Sequence, residues 1–217
     1  MALDKKQLQD DLYAVFTSMK GANQATDEDF ANGIAKAVCG YIKGGKVVTD
    51  DGGTVSGGTF AGGGTEDLSK NNTLTPDNCA SIILNACTNM HKMNSGGDNY
   101  LAGEIGKGIK KMSTDLVIKT TVVGTLTPPS PATPVTPYPP DGGEAEGSIA
   151  CSETALVTAL IQTFSDMYTN KAKEGYDGDL ELAKTLATQT ALFWTSGKVS
   201  TNGKGDLNGS SGSGSVA

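Results

Sequence analysis

Three stretches of the chain share one apolar spacing, and this recurrence limits the possible folds more than any other feature. Leu8, Leu12, Phe16 and Met19 step by four, four and three residues. Cys79, Ile83, Cys87 and Met90 do the same, as do Leu156, Leu160, Phe164 and Met167. Such steps keep one stripe along a helix. After a polar loop each stretch carries a second stripe. These are Phe30, Ala31, Ile34, Val38 and Tyr41; then Leu101, Ala102, Ile105, Ile109 and Met112; then Leu182, Ala183, Leu186, Thr190 and Phe193. Seventeen residues beyond the first member of each stands a β-prone pair: Val47 with Thr49, Ile118 with Thr120, Val199 with Thr201. Eight residues further come Val55, Leu126 and Leu207. Helical spacing alone recurs easily, but a fixed offset through a turn into a strand is harder to reach by chance.

Local signals agree. Thr26 precedes Asp27-Glu28-Asp29, an acidic first turn that suits a helix N-terminus. Thr75-Pro76-Asp77 puts proline at a helix start, Ser152-Glu153 opens the third pair, and Gly44-Gly45 and Gly197 close second helices. Asp50-Asp51-Gly52-Gly53 and Asn202-Gly203-Lys204-Gly205 read as hairpin turns between β-prone residues. The expected fold class is therefore α+β, with three tandem units, each a helical hairpin followed by a short β-hairpin. The units span residues 1–55, 75–126 and 151–207. A helical hairpin of this size buries too little surface to stand alone, so the units must pack together or on other chains.

Composition changes sharply between the units. Residues 56–74 are glycine-rich and include GGTFAGGGT, whose spacing resembles a phosphate loop but which does not open a helix, so it reads as a flexible loop. Residues 127–150 contain seven of the eight prolines, a density that favours an extended spacer. Residues 208–217 are serine-glycine coil. These three segments read as a linker, a second linker and a flexible tail, too poor in apolar groups to fold by themselves. Phe60, Val135 and Tyr138 are isolated apolar groups within them, which makes them candidate partner contacts. Trp194, beside Phe193 at a helix end, reads either as a core anchor or as a fourth contact residue.

Charge narrows the function. All 17 basic residues are lysine, and the net charge is −7. A chain without arginine and with this sign neither steers toward a nucleic-acid backbone nor reads base edges well, so no nucleic-acid partner is expected. No run of apolar residues is long enough for a membrane helix, and the amphipathic opening does not resemble a secretion signal, so no membrane partner is expected and synthesis is placed in the cytoplasm. The cysteines Cys39, Cys79, Cys87 and Cys151 lack paired metal spacing and read as small buried hydrophobes, with a crosslink as the alternative. His91 is the single histidine. The pairs Asp50-Asp51 and Asp177-Gly178-Asp179 fall short of a calcium loop, and the second reads as a helix cap. Asn71-Asn72-Thr73 and Asn208-Gly209-Ser210 match a glycosylation pattern that has no meaning without secretion. No catalytic, cofactor-binding or metal-ligating residue is assigned, no cofactor is expected, and the chain reads as no enzyme.

The opening MALDKKQLQDDL, the segment FANGIAKAVCGYIKGGKVVT and the Gly/Thr/Ser-rich stretch after it resemble structural proteins of tailed-bacteriophage virions. The likeness is compositional, covers mainly residues 1–65 and has an echo in 178–207. It implies a non-enzymatic subunit of the head surface, neck or tail, present in many copies and located in the virion. Its partners would be other virion structural proteins and copies of itself, reached in part by arms laid over neighbours. A soluble module that binds a ligand or peptide at the hairpin tips is the alternative.

Overall fold

The computed structural model describes residues 3–21, 25–131 and 133–217. Helices α1 (Lys5–Gly21) and α2 (Asp27–Lys43) lead into strands β1 (Lys46–Val55) and β2 (Gly58–Asp67). A single 3-10 turn then precedes α3 (Asp77–Met90), α4 (Gly97–Asp115), β3 (Ile118–Thr127) and β4 (Thr136–Ala150). Helices α5 (Thr154–Asn170) and α6 (Gly178–Thr195) come before β5 (Lys198–Gly203), a second 3-10 turn and β6 (Ser210–Val216). Local chemistry fixes several of these starts. Thr26 and Asp29 form a reciprocal capping box on α2, with the Thr26 N–H donating to Asp29 Oδ2 at 2.9 Å. Asp177 caps α6 by accepting from the N–H groups of Asp179 and Leu180.

All six strands belong to one closed antiparallel barrel in the order β1-β2-β3-β4-β5-β6. The first and last strands seal it, with Val47 opposite Val216 and Gly53 opposite Ser210. The helices also close on themselves: α1 packs on α2, α2 on α3, α3 on α4, α4 on α5, α5 on α6, and α6 returns to α1. One apolar core joins this ring to one end of the barrel. It contains Leu8, Ile34, Ile83, Ile105, Leu160 and Trp194 from the helices and Val47, Ile118, Ile149, Val199 and Val216 from the strand ends. A smaller core of Val55, Phe60, Val122, Ala145 and Leu207 fills the far end of the barrel.

This architecture corrects the expected fold class. The strands are not three separate short hairpins on tandem units; they form one barrel, and the helices share one core. Asp50–Gly53 is no turn, because β1 runs straight through it to Val55. The segments read as linkers and tail are walls of the barrel: residues 56–74 supply β2, residues 127–150 supply β4, and residues 208–217 supply β6. The physical reason lies in which residues face inward. In β6, Gly212 and Gly214 lie between buried Ser210 and Val216 on the inner side, while Ser211, Ser213 and Ser215 are exposed. In β2, Phe60 and Gly64 are buried and Thr59, Ala61 and Thr65 exposed. The alternation has period two, as a strand requires, but three of its inner members, Gly64, Gly212 and Gly214, are glycine and carry little hydropathy signal.

Candidate functional site

Between the two apolar cores the barrel interior turns polar. Thr49, Thr120 and Thr201 point inward from β1, β3 and β5, each 1 % exposed, and Asp51 lies among them at 5 %. Asp51 Oδ2 accepts a hydrogen bond from Thr49 Oγ1 at 2.6 Å, and Asp51 Oδ1 accepts one from Thr201 Oγ1 at 3.0 Å. The Thr120 hydroxyl has no partner among the described residues. Glycines on the neighbouring strands make room for this layer. A β-carbon at Gly64 would sit 2.5 Å from Thr49 Oγ1, 2.7 Å from Thr120 Oγ1 and 2.8 Å from Asp51 Oδ2. One at Gly212 would run into Asp51 Oδ1 and Thr201 Oγ1. Among the buried residues described, Asp51 is the one with a charged side chain; the sequence offers it as part of a turn and as one of an acidic pair that falls short of a calcium loop.

A second polar constellation lies outside the barrel, where β2 runs into α3. Glu66 accepts from Asn71 Nδ2 and from the Lys119 N–H, both at 2.7 Å. Asn71 Nδ2 also donates to the Val117 carbonyl at 2.7 Å, while Asn71 Oδ1 accepts from Thr73 N at 2.9 Å and Leu74 N at 3.2 Å. Thr73 Oγ1 in turn accepts from Val117 N at 2.9 Å. Burial pushes the Glu66 carboxyl above the ordinary range, against the two donors that pull it down. The network lines a cleft of about 430 Å³ and ties the β2–α3 connection to the start of β3. Asn71 is thus fully engaged by its own chain, and this accounts for the Asn71-Asn72-Thr73 sequence.

An apolar groove of about 360 Å³ lies at the helix ends and is lined by Phe16, Met19, Phe30, Met167 and Leu182. The Phe16 and Phe30 rings sit 5.9 Å apart, and Lys20 Nζ pairs with Asp179 Oδ2 at 2.6 Å at the rim. Tyr13 donates to Asp177 Oδ2 at 2.7 Å nearby, and this bond holds the Asp177 carboxyl below the ordinary range.

The four candidate contact residues separate. Phe60 is 1 % exposed and packs inside the barrel, its ring 6.4 Å from Tyr138. Tyr138 is half-buried and donates to the Asp206 carbonyl at 3.1 Å. Trp194 is wholly buried in the helical core, stacked edge-on with Phe193. Neither Phe60 nor Trp194 presents a surface to a partner, and Val135, at 54 %, is the one of the four left exposed. Sequence reasoning missed Val48 and Val123, which stand out on the barrel wall at 44 % and 62 % exposure.

The reactive side chains are quiet. Cys39, Cys79, Cys87 and Cys151 are all free thiols. Burial raises Cys79 to about 12 and Cys87 and Cys151 to about 11, so the nucleophilic thiolate is scarce at neutral pH. His91 Nε2 lies 3.0 Å from Asp27 Oδ2 across two helices. No helix among the described residues is long and apolar enough to cross a membrane. No family model, curated protein or solved structure matches the chain.

Proposed function

We propose that the chain is a non-enzymatic structural subunit of a tailed-phage particle, at the head surface, neck or tail, and that it acts by binding other virion proteins and copies of itself. The resemblance of its first 65 residues supplies the class. The observation that carries the reading is the outer wall of the barrel. One row across five strands reads Ser200, Ser213, Asp50, Gly63, Val123, and the next reads Asn202, Ser211, Gly52, Ala61, Thr125. On the other side of the first row lie Ser215, Val48, Thr65 and Thr121. Small side chains lose little rotamer freedom when covered, and two exposed valines supply apolar area, so this wall suits close contact with another protein. The reading assigns contact to this wall rather than to arms, because most of the length expected to form arms is strand in the barrel.

Quantitative mass spectrometry of phage particles, purified by density from cultures in which the gene for the chain is expressed, tests the proposal. Stoichiometric presence, lost for a Val48→Lys/Val123→Lys double variant that still folds, is the expected result. Absence from the particles overturns it. A monomer whose melting temperature rises with a small ligand or peptide would move the reading to a binding module.

A further inference from the structure

We propose that the apolar groove at the helix ends is a docking site for a basic amphipathic helix of another protein. Large apolar side chains of that helix seat between Phe16, Met19, Phe30, Met167 and Leu182, and its lysines or arginines lie against an acidic rim. The groove is at the end of the ring away from the barrel, where α1 and α5 finish and α2 and α6 begin. Phe16 is buried at its floor, while Met19, Phe30 and Met167 are half-buried and keep part of their apolar surface in water. A β-carbon at Gly178, the first residue of α6, would lie 3.1 Å from the Met167 methyl group, so glycine there gives the thioether its place. Methionine side chains adapt their shape to different anchors, and grooves lined by them suit amphipathic helices. A volume of about 360 Å³ takes anchor side chains and leaves the helix backbone outside.

Charge decides which helix fits. Two helices end and two begin at the groove, so their dipoles oppose one another and side chains set the local sign. Lys20 is held by Asp179 at 2.6 Å, Lys171 lies 4.3 Å from the centre of the Tyr168 ring, and Lys173 neighbours Glu174. Asp29, Asp166 and Asp177 accept hydrogen bonds from their own chain but, among the described residues, form no ion pair. Donors from Thr26 and Tyr13 hold the Asp29 and Asp177 carboxyls below their ordinary range, so both stay charged at neutral pH. An acidic helix would meet repulsion at this rim, whereas a basic one gains attraction and a faster encounter. The net charge of −7 likewise disfavours a second copy of this chain as the occupant. The groove is separate from the outer wall of the barrel, and its occupancy is measured on the purified chain without the particle.

Selection of the full chain against a displayed library of amphipathic helices tests the site. Each member carries leucine, methionine or phenylalanine along one face and a random choice of lysine, arginine, glutamate, glutamine or serine elsewhere. The retained helices are expected to carry net positive charge, and a synthetic peptide of the most enriched sequence then serves as the probe. In the chain isotope-labelled at its methionine methyl groups, this peptide should shift the signals of Met19 and Met167 and leave Met112, deep in the ring core, unmoved. Met19→Lys/Met167→Lys should weaken the peptide by roughly 10-fold. Asp166→Lys, at an exposed position outside the core, should weaken it by roughly 3-fold at low salt, with the difference lost at high salt. This second variant keeps the test decisive if the first does not fold. No enrichment, retained helices without positive charge, or shifts confined to methyl groups away from the groove overturn the proposal. A natural chain that sediments as a dimer, and as a monomer once Met19→Lys is introduced, overturns it too, because the occupant is then a second copy.

Discussion

The helical ring and the barrel hold together in different ways. The ring is filled by bulk: Leu8, Leu12, Ile34, Ile83, Ile105, Ile109 and Trp194 are all buried to 1 % exposure or less. The barrel interior offers Val55, Phe60, Val122, Ala145 and Leu207, then a layer of threonines around Asp51, and glycine along much of its remaining wall. Its stability rests on the ladder of backbone hydrogen bonds, which a six-stranded closed sheet completes with no free edge. Side-chain volume is the organising quantity in one half and backbone approach in the other. A substitution that is harmless in one half should therefore be severe in the other.

The largest effect belongs to the ring. Ile105→Ala, at a site with no exposure, should cost about 4 kcal/mol in urea unfolding, because packed helices relax only partly around the lost volume. A loss under about 1 kcal/mol would mean that the ring is loosely packed and the contrast false. Next comes the barrel wall. A β-carbon at Gly214 would press into the Val48 carbonyl and lie 2.8 Å from Thr49 Cα, so Gly214→Ala should cost about 3 kcal/mol by forcing β6 from β1. Ser213→Ala, one residue away and facing out, should change stability by no more than about 0.5 kcal/mol. Equal effects at the two sites would break the inward–outward assignment of β6.

This pair of sites also explains what was legible in the sequence. The helices could be read because their buried faces are large and apolar at helical spacing, and their caps at Thr26 and Asp177 because the chemistry is local. Strands β1, β3 and β5 announced their starts through Val47, Ile118 and Val199. Strands β2, β4 and β6 did not, since their few buried apolar residues, such as Phe60, Ala145 and Val216, are separated by glycines among serine, threonine, proline and acidic residues, a composition shared with disordered linkers. Closure was invisible for a further reason: the partner of β6 is β1, more than 150 residues away, and no local pattern encodes that pairing. The contact residues failed by the same route. An isolated apolar residue in a polar segment looks exposed if the segment is an arm, but Phe60 is buried once its neighbours form a barrel wall. The polar layer around Asp51 was hidden because its members come from three strands and belong to no sequence motif.

A moderate effect separates local from tertiary control. Thr26→Ala removes the reciprocal cap of α2 and should cost about 1 kcal/mol, with Thr26→Asn restoring most of it. Chemical denaturation of the three proteins side by side gives the answer. If alanine is tolerated without loss, the ring core alone holds the start of α2, and the cap is incidental.

The smallest effect concerns Glu66, at the seam where the outer wall of the barrel meets the connection to α3. Burial raises its carboxyl above the ordinary value of 4.5, so the folded chain holds this proton more tightly than the unfolded chain does. Below the ordinary value both states are protonated and the shift costs nothing. As pH rises from there through the raised folded value, the unfolded chain gives up its proton first, and Glu66 subtracts progressively from stability. Glu66→Gln keeps one oxygen acceptor for Asn71 or Lys119 and cannot ionise. Relative to this variant, the natural chain should lose a small increment of stability across that window and then run parallel to it at higher pH. The difference between their urea midpoints, followed from pH 4 to 8, reads the effect directly. A natural chain that instead gains on the variant as pH rises would mean that the two donors outweigh burial, and that the seam is held by a charged latch.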